Sequence, residues 1–273
     1  TLPKRLGIIG CGNIGIEFAN LYARLGAEVT AFESGDRILK REDADVAALA
    51  QQYLEEDGVR FHFNAVTKEI KNVGDTVVVV TESGEEFIFD ALLHATGRKA
   101  NTEGLGLENT DIQVRPNGSV VTDDTLMTAV PNVFAVGDVN GGQQFTYVSL
   151  DDFRIVNRVL HGDESYKLGN RAHVPYSTFI TPALSHVGLH EEEAKAQYPS
   201  AVTVALPVNN MPRHAVNQDP RGVFKLTVNK DTGLILGATL FGKNSEELIN
   251  IIKMAMDNDI KYTYLRDQIF THP

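Results

Sequence analysis

The sequence predicts an α/β fold: a doubly wound nucleotide-binding domain leads, and a mixed α+β domain closes the chain. Three observations predict it. A glycine fingerprint, Gly10-Cys11-Gly12-Asn13-Ile14-Gly15, stands between a short apolar strand and a helical pattern. Strand, helix, strand, helix and strand patterns then alternate up to residue 63. In the last third, apolar strand-like runs are interleaved with helical ones.

The elements follow in order. Leu6-Gly7-Ile8-Ile9 is an apolar strand that runs into the glycines. Ile14, Phe18, Leu21, Tyr22 and Leu25 recur at three- and four-residue spacing, which predicts a helix over 13–25. Gly26 ends it, because glycine accepts the left-handed cap geometry. Residues 28–33 form the next strand, 43–57 a helix closed by Gly58, and 59–63 a third strand. The β-branched run 76–81 turns at Ser83-Gly84 and returns through Phe87-Ile88-Phe89, an antiparallel ribbon attached to the sheet. Residues 91–95 make one more parallel strand, ending at Thr96-Gly97. After a polar, glycine-containing stretch at 101–118, Val133-Phe134-Ala135-Val136 reads as a strand that ends in Gly137-Asp138. Helical spacing of Phe153, Ile155, Val156 and Val159 covers 151–160, and the charged stretch 162–172 marks a domain boundary. Strands at 201–207, 223–229 and 235–241 then alternate with helices at 191–198 and 246–257.

A length of 273 residues suits two or three domains. Hydrophobic content of 42% with 22% charged residues is that of a soluble globular protein. No apolar run reaches the length of a membrane span, and no charged-then-apolar leader opens the chain, so no membrane partner is expected. The single cysteine excludes an internal disulfide framework and fits a reducing cytoplasm. Net charge is −11. Residues 1–93 carry 9 basic and 16 acidic groups and residues 94–168 carry 6 and 10, whereas residues 169–273 balance at 10 each. A phosphate backbone repels such a chain, so nucleic acid is not an expected partner. The neutral last third is compatible with burial against a second copy.

In the fingerprint, Gly10 allows the tight turn, Gly12 lets a pyrophosphate approach the backbone, and Gly15 lets helix and strand pack closely. The amides of Asn13, Ile14 and Gly15 open the helix, where unpaired N–H groups and the dipole favour an anion. Cys11 serves as a small packing residue. Glu33, eighteen residues past Gly15 at the end of the next strand, would accept hydrogen bonds from ribose hydroxyls and repel a 2′-phosphate. That favours NAD over NADP, although Arg37 stands close enough to receive a phosphate. The plainer alternative for Glu33 is a solvated strand end. Asp138 likewise admits two readings, a ligand for sugar or ribitol hydroxyls and a helix-capping aspartate. His186 and His190 share four-residue spacing, but Gly188 lies between them and no third ligand follows, so no metal is expected. His62 alternates with Phe61 and Phe63 and is placed on the polar face of its strand, and Glu191-Glu192-Glu193 fits an acidic first helical turn.

Several motifs stand in fixed order: residues 10–17, Ala95-Thr96-Gly97-Arg98, residues 133–138, Phe145-Thr146, Pro175-Tyr176-Ser177-Thr178-Phe179 and Thr271-His272-Pro273. In this the chain resembles the pyridine nucleotide-disulphide oxidoreductases, which include dihydrolipoamide dehydrogenase, glutathione reductase and mercuric reductase. The stretches 144–154 and 265–273 are most similar to the bacterial subgroup linked to reactive-chlorine resistance. The resemblance implies an NAD-binding domain (1–93) inserted in an incomplete FAD-binding domain (94–168), then a dimerisation domain (169–273). It implies FAD and NAD as cofactors, a homodimer, and a disulphide, small-molecule or metal-ion electron acceptor. Asp138 matches the ribitol-binding aspartate, and Phe145-Thr146 match the pair whose second backbone N–H faces the flavin pyrimidine edge. Glu17 matches a carboxylate that pairs with a flavin-domain lysine near the nicotinamide pocket, and Gly97 matches a glycine contacting the nicotinamide nucleotide. His272 matches an acid/base that reaches towards the partner's redox cysteines, a role suited to imidazole.

Two departures stand out. Relatives often carry a flavin-covering tyrosine where this chain has Asn13. The first flavin motif, the redox cysteine pair and the acid that orients the terminal histidine are not found in the sequence. The chain is therefore expected to be a fragment that binds NAD and dimerises, but neither holds FAD tightly nor turns over. The rival expectations are a self-sufficient NAD-binding sensor that dimerises without flavin, and a stand-alone NAD dehydrogenase with His272 as base.

Overall fold

The structure, a computed structural model, describes residues 2–271. It is the expected mixture of parallel and antiparallel α/β layers. Residues up to Gly97 and from His173 onward form one compact unit, and Arg98–Ala172 form another.

The first part of the larger unit runs β1 (Arg5–Ile9), α1 (Asn13–Arg24), β2 (Glu28–Phe32), α2 (Ala44–Glu56), β3 (Val59–His62), β4 (Thr67–Val73), β5 (Thr76–Thr81), β6 (Glu86–Phe89) and β7 (Ala91–His94). Strands β3-β2-β1-β7 form a wholly parallel sheet, with Ile9 opposite Phe32 on one side and His94 on the other. Beyond their first residues β1 and β2 are buried on both faces, which explains why neither alternates apolar with exposed polar residues.

α1 forms where expected but presents the other face. It buries Gly15, Ile16, Ala19 and Asn20, while Ile14, Phe18 and Leu21 are exposed. Gly15 and Ala19 bring the packed side close to the strand end, and Ile16 fills the core beside them. Of the side chains that revealed the periodicity, Ile14, Phe18, Leu21 and Leu25 are exposed and only Tyr22 packs against the core. The ribbon is also corrected. β4, a polar and exposed strand without an apolar alternation, joins β5 and β6 in a separate antiparallel sheet. Aromatic edges tie the two sheets together, with Phe32 4.9 Å from Phe87 and 5.9 Å from Phe89. His62 belongs to this cluster, stacked 5.3 Å from Phe32, rather than to a polar face.

In the smaller unit, residues 133–136 do not form the expected strand. A strand needs a neighbour along its length, and this one meets residues 126–128 through just two ladder-like bonds: Thr128 N–H donates to Val133 O, and Ala135 N–H to Leu126 O. The chain then tightens into a 3₁₀ turn at Gly137–Asn140. α3 (Thr146–Leu160) begins ahead of its apolar pattern.

The rest of the larger unit contains β8 (Tyr176–Thr178), β9 (Leu184–Gly188), α4 (Glu191–Gln197), β10 (Ala201–Pro207), α5 (Pro212–Val216), β11 (Val223–Asn229), β12 (Ile235–Phe241), α6 (Ser245–Asp257) and α7 (Tyr262–Arg266). Strands β10-β11-β12-β9-β8 make an antiparallel sheet. The three strands expected here keep their bounds. β9 is an addition to the expected set, because it buries Ser185 and His186 and so lacks an apolar signature. Ile180, Leu184 and Phe241 share one core with Ile8, Ile16, Val29 and Leu54, so the antiparallel layer packs directly on the nucleotide-fold layer.

Candidate functional site

The three fingerprint glycines meet three different demands. Gly10 has φ +98°, and a Cβ there would lie 2.6 Å from the Ala95 carbonyl oxygen. A Cβ on Gly15 would lie 1.9 Å from the Gly10 oxygen. Gly12, with φ −78° and ψ −174°, has an ordinary backbone, and a methyl on it would meet nothing within 4 Å. The fold therefore requires the first and third glycines but not the second. Gly12 faces open space just before the first turn of α1, where Asn13 is half-buried and Ile14 exposed. The amides of Asn13, Ile14 and Gly15 have no preceding turn to bond to, and the arrangement favours an anion.

Glu33 is no solvated strand end: its residue is only 9% exposed. Its Oε2 accepts the Cys11 N–H (3.1 Å), and Oε1 accepts the Gly35 N–H (2.9 Å) and the Ser34 hydroxyl (3.2 Å). Lys40 Nζ completes the set, 2.8 Å from Oε1. Burial works against this carboxylate's charge, but the bonds from Lys40, Gly35 and Cys11 outweigh it and hold its pKa below the usual range. Arg37, the phosphate ligand that the sequence allowed, turns two of its five N–H donors into its own loop. Its guanidinium donates to the carbonyls of Glu42 (3.1 Å) and Lys40 (2.9 Å). The cation beside Glu33 is Lys40, which sequence spacing did not reveal. Cys11 is buried, and burial pushes its thiol up to about 12, as suits a packing residue.

Glu17 Oε1 accepts the Phe179 N–H at 2.9 Å, and burial raises its pKa despite that bond. Asn20 Oδ1 accepts the Thr181 N–H at 2.9 Å, so α1 is stapled to the segment after β8. Gly97 follows β7 with φ +121° and open space around it.

In the smaller unit, Gly137 has φ +70° and donates its N–H to Asp152 Oδ2 at 2.7 Å. Asp152 is fully buried, also accepts from Asn140 Nδ2 (2.9 Å), and is paired with Arg171, which reaches Asp151 at 2.7 Å as well. This pair braces the turn that presents Asp138 to solvent, where Arg98 lies 3.4 Å away. Asp138 caps no α-helix, since it lies within the 3₁₀ turn and α3 starts after Phe145. Phe145 stacks on Tyr147 at 5.1 Å, and exposed Thr146 is the first residue of α3. Sequence reasoning missed Asp152 and Arg171. The available signal was a carboxylate on the inward side of a helix. His272 lies outside the described residues.

The fold also supplies what the histidine pair lacked. Glu42 joins His186 and His190, with ligand atoms all within 4.8 Å of one another. The two imidazoles, however, are stacked at 3.8 Å and 13°. Lone pairs in parallel planes do not converge on one ion. His186 uses both nitrogens, at 2.8 Å from Thr239 Oγ1 and 3.0 Å from Gly188 O. Tyr176 donates its hydroxyl to Glu42 (2.7 Å) and lies 3.2 Å from His190 Nε2. As arranged, the group is a hydrogen-bonded seam between the segment before α2 and the antiparallel sheet.

Comparison with known proteins matches this architecture. The pyridine nucleotide-disulphide oxidoreductase family matches residues 1–152, and its dimerisation domain matches residues 174–273. The "probable pyridine nucleotide-disulfide oxidoreductase RclA" of Escherichia coli K12 is 45% identical over 272 residues, which is 100% of this chain and 62% of that protein. A mercuric reductase of Staphylococcus aureus is 32% identical over 97% of the chain and 49% of its own length. The solved structure of the HOCl-induced flavoprotein disulfide reductase RclA from Escherichia coli superposes with a TM-score of 0.95, covering 100% of this chain and 62% of that one. LpdA from Mycobacterium tuberculosis, 28% identical, superposes at 0.92 over 100% of this chain and 59% of its own. The chain thus spans about three-fifths of the RclA length. It belongs to the pyridine nucleotide-disulphide oxidoreductase family, with the family's dimerisation domain following its nucleotide-binding layers.

Proposed function

We propose that this chain supplies the pyridine-nucleotide site, part of the flavin site and the subunit-pairing surface of a flavin-dependent NADH oxidoreductase. The observation that carries the reading is Gly12. Its backbone is ordinary and its surroundings are open, so the fold does not call for a glycine there, which supports a ligand that approaches the backbone closely. Gly10, Gly12, Asn13, Ile14 and Gly15 would hold the pyrophosphate on backbone amides, Glu33 the adenosine ribose, and Gly97 the nicotinamide nucleotide. The residues fit the cofactor: an open cradle at a helix start, with a buried carboxylate at the end of the neighbouring strand. Asp138 would hold ribitol hydroxyls, and the Phe145-Thr146 helix start the flavin ring edge, in a turn that Asp152 and Arg171 keep rigid. When bound, the nicotinamide would supply hydride chemistry and the flavin two-electron transfer towards a cysteine pair, whereas the one cysteine of this chain, Cys11, is buried as a packing residue. Glu17 would orient a cation near the nicotinamide, and His272 would act as acid/base. The domain assignment is 1–93 for NAD, 94–168 for part of the FAD fold and 169–273 for pairing.

We assign a disulphide or metal-ion acceptor, in the cytoplasm. Support comes from the relatives, which include mercuric reductases and an RclA solved as a Cu(II) complex. Calorimetric titration with NADH tests the nucleotide reading. Gly12→Ala is expected to melt like the parent chain and to bind NADH at least about tenfold more weakly. Equal affinity in the two would refute it.

A further inference from the structure

Lys40 reaches Glu33 by a path that another residue keeps open. A Cβ on Gly35 would lie 2.3 Å from Lys40 Cε and 2.4 Å from Nζ, so the lysine lies across the glycine. Arg37, bonded to the carbonyls of Lys40 and Glu42, holds the loop that delivers it. Lys40 itself stays half-exposed, with its side chain at 52%.

The acceptor count on Glu33 shows what this cation does. A carboxylate offers about four lone-pair positions, two on each oxygen. Oε1 already faces three donors, from Ser34, Gly35 and Lys40, while Oε2 faces only the Cys11 amide. A ribose with two free hydroxyls needs an acceptor position on each oxygen. Backbone amides cannot leave, and the Ser34 hydroxyl is adjacent in sequence. Lys40 is the donor that can move aside, on a flexible stem with solvent behind it. Once displaced, its ammonium remains tethered beside the carboxylate that would receive the ribose. A bare carboxylate there would repel a 2′-phosphate, whereas a carboxylate–ammonium pair presents no net charge and a mobile cation.

We propose that Lys40 is a specificity-determining residue of the nucleotide site, neutralising Glu33 so that the chain admits NADPH alongside NADH. The proposal rests on the reading of residues 10–15 and 33 as the NAD site. It is tested by titrating the chain, Lys40→Met and Lys40→Arg with NADH and with NADPH. The parent chain is expected to prefer NADH but to bind NADPH within about tenfold of it. Lys40→Met should lower the NADPH-to-NADH affinity ratio by about tenfold or more, the worth of one charge-assisted phosphate contact. Lys40→Arg should keep NADPH binding. An NADPH-to-NADH ratio unchanged in Lys40→Met, with NADH still bound, overturns the proposal alone. Failure of the parent chain to bind either nucleotide overturns the nucleotide site itself and the proposal with it.

Discussion

Gly15 and Gly12 lie three positions apart and predict opposite outcomes. A methyl on Gly15 would meet the Gly10 carbonyl oxygen at 1.9 Å, so Gly15→Ala must push α1 off the strand end. Urea unfolding should show a loss of about 2–3 kcal/mol, as overpacking against backbone gives. Gly12→Ala, with no neighbour within 4 Å, should unfold at nearly the parent midpoint. His186 carries a second prediction at this scale. Burial, with a smaller contribution from His190, pushes its pKa down to about 4. The unfolded imidazole takes its proton near about 6.5. Between those values the unfolded chain binds more protons, so its contribution to stability is whole above about pH 6.5 and declines as pH falls towards 4. The loss amounts to about 3 kcal/mol by the size of the shift. Glu42, raised by burial, works in the opposite direction as its folded carboxyl takes up a proton. His186→Asn should flatten the acid limb of stability against pH. An unchanged limb would remove His186 from the explanation.

Among the elements, two buried ion networks hold layers together. Lys225 on β11, 4% exposed, donates to Asp43 and Asp45 at the start of α2 and pairs with Glu191 at the start of α4. Burial opposes its charge, but the bonds to Asp43, Glu191 and Asp45 prevail and keep the ammonium above the usual lysine range. Lys225→Ala leaves those carboxylates facing one another and should cost about 3 kcal/mol. In the smaller unit, Asp152→Ala removes the acceptor of the Gly137 amide and one partner of Arg171. Amide exchange at residues 137–140 should accelerate sharply while exchange in β1 and β2 stays as it was. Equal exchange at 137–140 would show that the turn does not depend on Asp152.

For the whole molecule, the dimerisation domain leads to a prediction of mass. α6 leaves Leu248, Ile251 and Met254 exposed in a stripe at three-residue spacing, an apolar face with no cover among the described residues. Sedimentation equilibrium should return twice the 29.9 kDa chain mass. Ile251→Glu combined with Met254→Glu should return a single chain that still binds NADH. A monomeric parent chain would contradict the pairing. No helix among the described residues is long and apolar enough to cross a membrane.

The sequence by itself determined the parallel nucleotide fold, the fingerprint and the three long strands of the last third. Each of these is written locally: glycines at a strand-to-helix turn, and short apolar, β-branched-rich runs along β10, β11 and β12. It could not determine which face of α1 is inside, because periodicity reports a helix but not its neighbour, which at Gly15 leaves no room for a Cβ. Lys40 at Glu33, Asp152 beneath Gly137 and Glu42 beside two histidines were likewise decided only by folding. These groups are brought together by chain reversals and by packing between layers. The energy that pairs them is electrostatic and short-ranged in space, so it leaves no period in the sequence.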